Sequence, residues 1–435
     1  MTKRLQFVVV SASTCLLVLL LLGTVLGRSN AADGDAYKHF AVFSDVVAKI
    51  KSDYVEEPNM HNVTLGALNG LLESIDPFAS YLNAEQYKQY RDAMTQKKGD
   101  VGLVLSRRSG YIGIVDAIPG TPAAVLGLTT YDIIEAINGV STRDMPLAYA
   151  QYLLRGDPGT NVELSVIQVR RGAEAQKKGL TRAKIEMPAV SGKIMNGDVG
   201  YVEVPVLDKG RSAQVKTKLA ELEKQGAKRF VLDLRNDAEG DLNEGLVLAD
   251  MFLDKGQMTY LEGQRSPKRA FEADAAVVSK LPVVVLTNRG TAGAAEIAAS
   301  ALADNKRAEL VGERTYGMAA ERKALTLDDG SAVILAVAKY YNGAGKAIQD
   351  TGVTPALVVA EADAPDTEDE EGAPGQAAPP PEPKPGEDVQ LKKAIEVLTS
   401  GLEAAKKGSA AGAVSAAPPA GAPKGPLNIP RPDQR

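Results

Sequence analysis

Residues 288–304 read NRGTAGAAEIAASALAD. They follow an apolar run, LPVVVLTN at 281–288, and precede VGERTYG at 311–317. A run of β-branched and apolar residues bounded by Asn and Gly reads as a fully buried strand, and AGAAEIAASALAD reads as the helix after it. Small residues at such a strand-to-helix turn let another group approach the backbone closely. The turn carries no Ser, Cys or His. Similar units flank it. VGYVEVPVL is a strand, RSAQVKTKLAELEKQG an amphipathic helix, RFVLDLRND a strand with a polar end, LNEGLVLADMFLDKG a helix, QMTYLEGQ a strand with a turn and AELVGERTYG a further strand with a turn. Alternating strands and helices predict a mostly parallel or mixed sheet covered by helices, with ligands at the carboxyl ends of the strands near Asn236, Asn288 and Gly317.

The whole chain of 435 residues has room for two or three domains. Hydrophobic residues make up 44% and charged residues 24%, as in ordinary globular proteins, and a net charge of −5 offers nothing to nucleic acid. A single cysteine, Cys15, excludes an intramolecular disulfide and a cysteine-based metal site. His39 and His61 lie early, near one helical pattern, and are read as surface or helix-packing residues. No metal site and no cofactor are expected.

The amino terminus has Lys3 and Arg4 before an uncharged run, residues 5–27, closed by Arg28. The run is long enough for a transmembrane helix and exceeds the apolar core of a usual signal peptide. A retained anchor is favoured over a signal cleaved near SNAAD, residues 29–33. The positive side stays cytoplasmic, so the remainder faces the periplasm or the cell exterior. Residues 1–32 are the anchor or signal. Residues 36–97 form a small helical region, with helical spacing over 37–55 and 63–75, a turn at Asp76-Pro77 and a further helix from about Asn83.

From residue 98 to 188 the pattern is one of short strands. DVGLVLSRRSGYIGIVDAI reads as a hairpin, GTPAAVLGL as a short helix after a turn, YDIIEAINGVST as two strands about an Asn-Gly turn, and PLAYAQYLLRG as a helix with a Gly stop. GLVL at 102–105, GTPAAVLGL at 120–128, DIIEAINGV at 132–140 and DPGTNVELSV at 157–166 resemble a PDZ domain. The resemblance implies capture of an extended peptide as an added strand, with its terminal carboxylate on backbone N–H groups. Gly102, Leu103, Val104 and Leu105 would form the loop and strand. The helix at 146–154, with Tyr149 and Tyr152, would form the opposite wall. Tyr131 stands where that pattern usually has Gly.

The segments DLRNDAEGDLNEGLVLADMFL, VVLTNRGTAGAAEIAASALAD, LVGERTYG and YYNGAGKAIQDTGVTP, with LLESIDPFASYL ahead of them, resemble the carboxyl-terminal processing, or tail-specific, protease family. The resemblance spans about residues 37–359. It implies an α/β (α+β) chain made of a helical region, a PDZ domain and a ClpP/crotonase-like core at 189–360. Active members use a Ser–Lys pair. Here the nucleophile position reads Gly293, the lysine position Met318 and the supporting glutamine position Arg322. The oxyanion loop reads Ala238-Glu239-Gly240, with Gly240 its remaining glycine. Acyl transfer needs a nucleophile and an adjacent base, and neither Gly nor Met supplies one. Thr291, Ser300 and Lys323 are the substitutes to weigh; a Thr–Lys site requires both loops to shift register. Glu296 recurs in the family motif and is read as structural, and Asp304 is the other carboxylate near the turn.

Beyond the core, residues 361–388 are acidic and Pro-rich, a linker expected to be extended and disordered. A short amphipathic helix is expected at 389–407 and a low-complexity, disordered tail at 408–435. The favoured reading is an exported, membrane-anchored pseudoprotease that binds protein C-termini as adaptor or regulator, alone, as a homo-oligomer or paired with an active relative. The alternatives are an endopeptidase with a displaced Ser/Thr–Lys site and a mainly structural envelope protein.

Overall fold

A computed structural model describes residues 33–95, 98–108, 110–169, 174–274, 277–361 and 388–413. The apolar run at 5–27 and most of the expected linker and tail lie outside these residues. Among the described residues no helix is long and apolar enough to cross a membrane. Contacts divide the chain into two units, residues 1–68 and 69–435. The first holds α1 (Asp33–Asp53) and the start of α2 (Met60–Glu73). Everything below belongs to the second.

Its core sheet contains β8 (Ser191–Met195), β9 (Val199–Glu203), β10 (Arg229–Asp233), β13 (Val283–Thr287), β14 (Ala308–Gly312) and β17 (Leu357–Val358), in the order β17-β14-β13-β10-β9-β8. All neighbours are parallel except β8 and β9. All five residues of β13 are buried, as a parallel strand covered on both faces requires. The strand period of two divides its side chains between two cores. Val283 and Val285 join Phe230 and Leu232 against α6 (Arg211–Lys224), α7 (Leu242–Asp250) and α8 (Ala294–Asp304). Val284 and Leu286 join Val231 against α9 (Val389–Ser400) and α10 (Leu402–Ala413). The single closing helix expected at 389–407 is broken at Gly401, where φ is +86°. The Arg235 guanidinium fastens this element by donating to both carboxylate oxygens of Asp388, at 2.9 and 2.8 Å.

The PDZ sheet is antiparallel, in the order β2 (Leu103–Arg108), β3 (Tyr111–Ala117), β4 (Ile133–Ile137), β6 (Asn161–Ile167), β7 (Ala175–Thr181), with β5 (Val140–Ser141) on β4. It carries the short helix α4 (Pro122–Val125) and α5 (Leu147–Leu154). The third sheet joins β1 (Ser80–Leu82), β16 (Ala332–Tyr341), β11 (Gln257–Gly263) and β12 (Ser266–Glu272), with β15 (Ala320–Thr326) on β16. The short β1 pairs with β16 in antiparallel register, Ser80 opposite Ile334, and leads into α3 (Ala84–Thr95). This pairing matters for the site. It brings Ser80 to the start of α5, whose cap, Pro146, has no side-chain acceptor; the Ser80 hydroxyl accepts from Ala148 N at 3.2 Å instead.

Candidate functional site

At the end of β13 the chain turns into α8. Asn288 Oδ1 accepts from Asn236 N and Gly290 N, both at 3.0 Å. The Thr291 hydroxyl accepts from Asn288 N at 3.0 Å and donates to Leu234 O at 2.8 Å, and Thr291 is fully buried. The turn ends on Gly293, the residue preceding α8, with φ +58° and ψ −116°. That backbone lies outside the wells that L-residues favour. It is a sharp strand-to-helix turn that holds one residue at its apex, as a nucleophile elbow does. A Cβ on Gly293 would lie 3.7 Å from Leu242 Cδ2 and 3.8 Å from Met318 O, both ordinary contacts. A small side chain therefore has room, at a cost in backbone strain.

Glu296, in the first turn of α8, binds this apex to the next loop. Its fully buried carboxylate accepts from Gly293 N at 3.1 Å, Gly317 N at 2.6 Å, Met318 N at 2.7 Å and the Thr315 hydroxyl. Burial pushes its pKa up to about 7, while the Thr315 hydroxyl and the three N–H groups pull it down. Glu296 is thus a brace between residues 293 and 318, in keeping with its structural reading.

The loop of residues 237–241 wraps around Leu207. Asp237 is fully buried; its Oδ1 accepts from Leu207 N at 3.2 Å and its Oδ2 has no partner. Burial holds its pKa well above the carboxylate range, and Asp116 and Glu239 add to the shift. Asp116, buried on β3, is pushed up to about 8 by burial, with only the Ala117 backbone opposing. Gly240 has no alternative, because a Cβ there would collide with the Leu207 carbonyl. Glu239, unlike Asp237 and Ala238, is exposed to solvent; the protein around it raises its pKa, Arg155 opposes this, and Asp100 and Asp208 add to it.

Glu239 faces a cavity of about 350 Å³ that also receives Met318 and Arg322. Val104 and Leu105 of β2 line the same cavity, as do Leu147, Ala148 and Gln151 of α5. Phe78, Ser80 and Tyr90 close a further side. The groove of the PDZ domain and the Met318 loop are therefore one space. Val104 also packs with Ala238 and Ala292, beside Met318, which fixes the PDZ strand against both core loops. Opposite Glu239 in character, the Arg322 guanidinium lies 4.4 Å from the centre of the Phe78 ring, and its Nε has no partner.

The sequence-derived residues divide between these features. Gly102, at φ +82°, shapes the loop before β2, and a Cβ there would strike Thr121. Leu103 begins β2 and is partly buried. Tyr149 and Tyr152 do not line the cavity; their rings stack on each other at 5.8 Å. Helix geometry gives the reason: Leu147 and Gln151, four apart, share the groove face, and Tyr149 lies about 200° around from Leu147. Ser300 is buried within α8, two turns from Gly293. Lys323, on β15, is exposed and paired with Glu321 at 3.1 Å. Asp304, at the end of α8, accepts from Gly343 N at 2.9 Å. The sequence alone does not place Glu239, Gln151 and Ser80 on the wall of this cavity. For Gln151 the i,i+4 spacing from Leu147 is a readable signal; for Ser80 and Glu239 no local signal exists. No group of His, Cys, Asp or Glu suited to a metal ion occurs among the described residues.

Comparison with known proteins accords with this architecture. Residues 198–359 match the model of peptidase family S41 and residues 113–168 that of a PDZ domain. The carboxy-terminal processing protease CtpA of Bacillus subtilis is 31% identical over 334 residues, covering 76% of this chain and 71% of that protein. The carboxyl-terminal-processing protease of Synechocystis sp. is 31% identical over 377 residues, covering 85% and 84%. The solved structure of a photosystem II D1 C-terminal processing protease superposes with a TM-score of 0.62 at 26% identity, over 74% of this chain and 92% of that one. The chain belongs to the carboxyl-terminal processing protease family.

Proposed function

We propose that this chain is an exported, membrane-anchored, catalytically silent member of that family, which binds protein C-termini in the groove between β2 and α5 as an adaptor or regulator. The observation that carries the reading is the apex at Gly293. It has the backbone of a nucleophile turn and an intact brace to the 315–318 loop, yet no side chain at 293 and a thioether at 318. Neither can form or activate a nucleophile. A displaced Thr–Lys site fits the geometry poorly, since the Thr291 hydroxyl is buried and hydrogen-bonded to Asn288 and Leu234, and Lys323 is exposed in an ion pair. The anchoring part of the proposal rests on the uncharged run at 5–27 behind Lys3 and Arg4.

Two measurements test it. A serine-directed fluorophosphonate probe should leave the purified ectodomain unlabelled; stoichiometric labelling would overturn the silent reading in favour of the endopeptidase. Peptides with a free C-terminus should bind at least about tenfold more tightly than their amides, because charge-assisted hydrogen bonds to the carboxylate are lost on amidation. Equal binding of acid and amide would remove the C-terminal groove assignment.

A further inference from the structure

The groove is apolar over much of its wall, through Val104, Leu105, Leu147 and Met318, and its charges are unevenly placed. Arg322 is engaged within the fold through Nη2 and its planar face, its Nε aside. It stacks on Phe78, donates to Gln349 Oε1 at 3.3 Å, and feels the carboxylates of Asp76 and Asp350. Among the described residues Glu239 makes no hydrogen bond and no ion pair, although it is exposed within the cavity. The charges that act on it are Arg155, Asp100 and Asp208. Arg155, which is also paired with Asp100 at 3.3 Å, attracts it without forming an ion pair, and Asp100 and Asp208 repel it. Among the residues that line the groove Glu239 is the one carboxylate, on the loop next to Ala238, where the core closes the space under β2.

We infer that Glu239 is a specificity residue of this groove, selecting protein C-termini that carry a Lys or Arg among their last four residues. The inference rests on the peptide-binding reading above and deepens it. A basic side chain laid along β2 toward Met318 would bring its cation to a solvent-accessible carboxylate inside a partly enclosed, apolar-walled space, where the interaction is stronger than between fully exposed charges. An acidic side chain at the same place would meet like charge. The apolar wall of Val104, Leu147 and Met318 would take the methylene stem of the same Lys or Arg.

The experiment uses the ectodomain and fluorescent ten-residue peptides with free C-termini, alike except that one of the last four positions carries Lys, norleucine or Glu. At one position or more, the Lys peptide should bind about five- to tenfold more tightly than the norleucine peptide, and the Glu peptide more weakly than either. The Lys-to-norleucine ratio should shrink as salt rises. Glu239→Gln should bring that ratio close to one, and Glu239→Lys should reverse the order of the Lys and Glu peptides. If free-acid peptides outbind their amides but no position discriminates Lys from norleucine, the inference fails while peptide binding stands. If Glu239→Gln leaves a Lys preference intact, another residue carries it and the inference also fails. If no free acid outbinds its amide, the peptide-binding reading fails and takes the inference with it.

Discussion

Glu296 and Glu239 are two carboxylates in one unit, the first in the opening turn of α8 and the second on the loop of residues 237–241, and their circumstances are opposed. Glu296 is fully buried and accepts four hydrogen bonds, binding the Gly293 turn to the 315–318 loop. Glu239 is exposed in a groove and makes no hydrogen bond or ion pair among the described residues. A carboxylate whose acceptor capacity is filled by the fold has nothing left for a ligand, and its removal orphans its donors. One with capacity to spare costs the fold little to change and is available for recognition. The contrast teaches how the scaffold can hold its shape whatever side chains stand at 293 and 318: the Glu296 brace bonds only the backbone N–H groups of those two residues.

The harshest way to break the contrast is Glu296→Ala. Four buried or half-buried donors would lose their acceptor, and the folded state should lose about 3 kcal/mol or more, read as a fall in the urea midpoint. Glu296→Gln should cost less, since one carbonyl oxygen remains. An unchanged midpoint in the alanine variant would mean the brace is not structural.

Asp116 sharpens the comparison as a carboxyl neither braced nor solvated. Its folded pKa of about 8 lies above the ordinary carboxylate value. Folding therefore takes up a proton between about pH 4 and pH 8, and stability falls as pH rises through that window, by at most about 1.4 kcal/mol per pH unit. Asp116→Asn should raise the urea midpoint at pH 8 and lose that advantage near pH 4. Asp237 beside it keeps part of the pH dependence. Wild-type and variant curves that run parallel across the window would refute the assignment.

Introducing a nucleophile and a base tests the Gly293 side of the comparison. Gly293→Ser should fold, because a Cβ has room there, and should show no peptidase activity above wild type, because Met318 offers no base. The double change Gly293→Ser with Met318→Lys should yield weak cleavage of unstructured peptides. It would remain below an intact enzyme by a factor of order 10² or more if Glu239 misplaces an oxyanion donor. Cleavage by wild type that Thr291→Ala abolishes would sink the silent reading outright.

The smallest effect belongs to Tyr131, which holds φ +80° where the PDZ pattern usually has Gly. Tyr131→Gly should relieve left-handed strain and raise stability by about 1 kcal/mol, visible as a higher thermal midpoint. A lower midpoint would show that its side-chain contacts outweigh the strain.

The parallel strands and their helices could be read from the chain because each is a local pattern, as in VVVLT at β13, whose neighbours alternate with amphipathic helices. The strands β7, β12 and β15 could not, because their residues are largely exposed and so carry no apolar alternation. The groove illustrates the same limit. GLVL marks its strand, but the facing residues of α5 depend on how the helix is rotated, and that rotation is set by packing and by the trans cap from Ser80.

What the sequence alone determined is which atoms are present: no side chain at 293, a thioether at 318, a carboxylate at 239, and the order of helical region, PDZ domain and core, all of which are matters of residue identity and local period. Only the tertiary structure decided that residues 104, 147, 239 and 318 share one cavity, that Thr291 is sealed within the turn and that Glu296 is filled while Glu239 is exposed. The reason is physical. Burial and hydrogen-bond satisfaction are properties of neighbours brought together across scores of residues by sheet pairing and loop closure, and no window of sequence contains them.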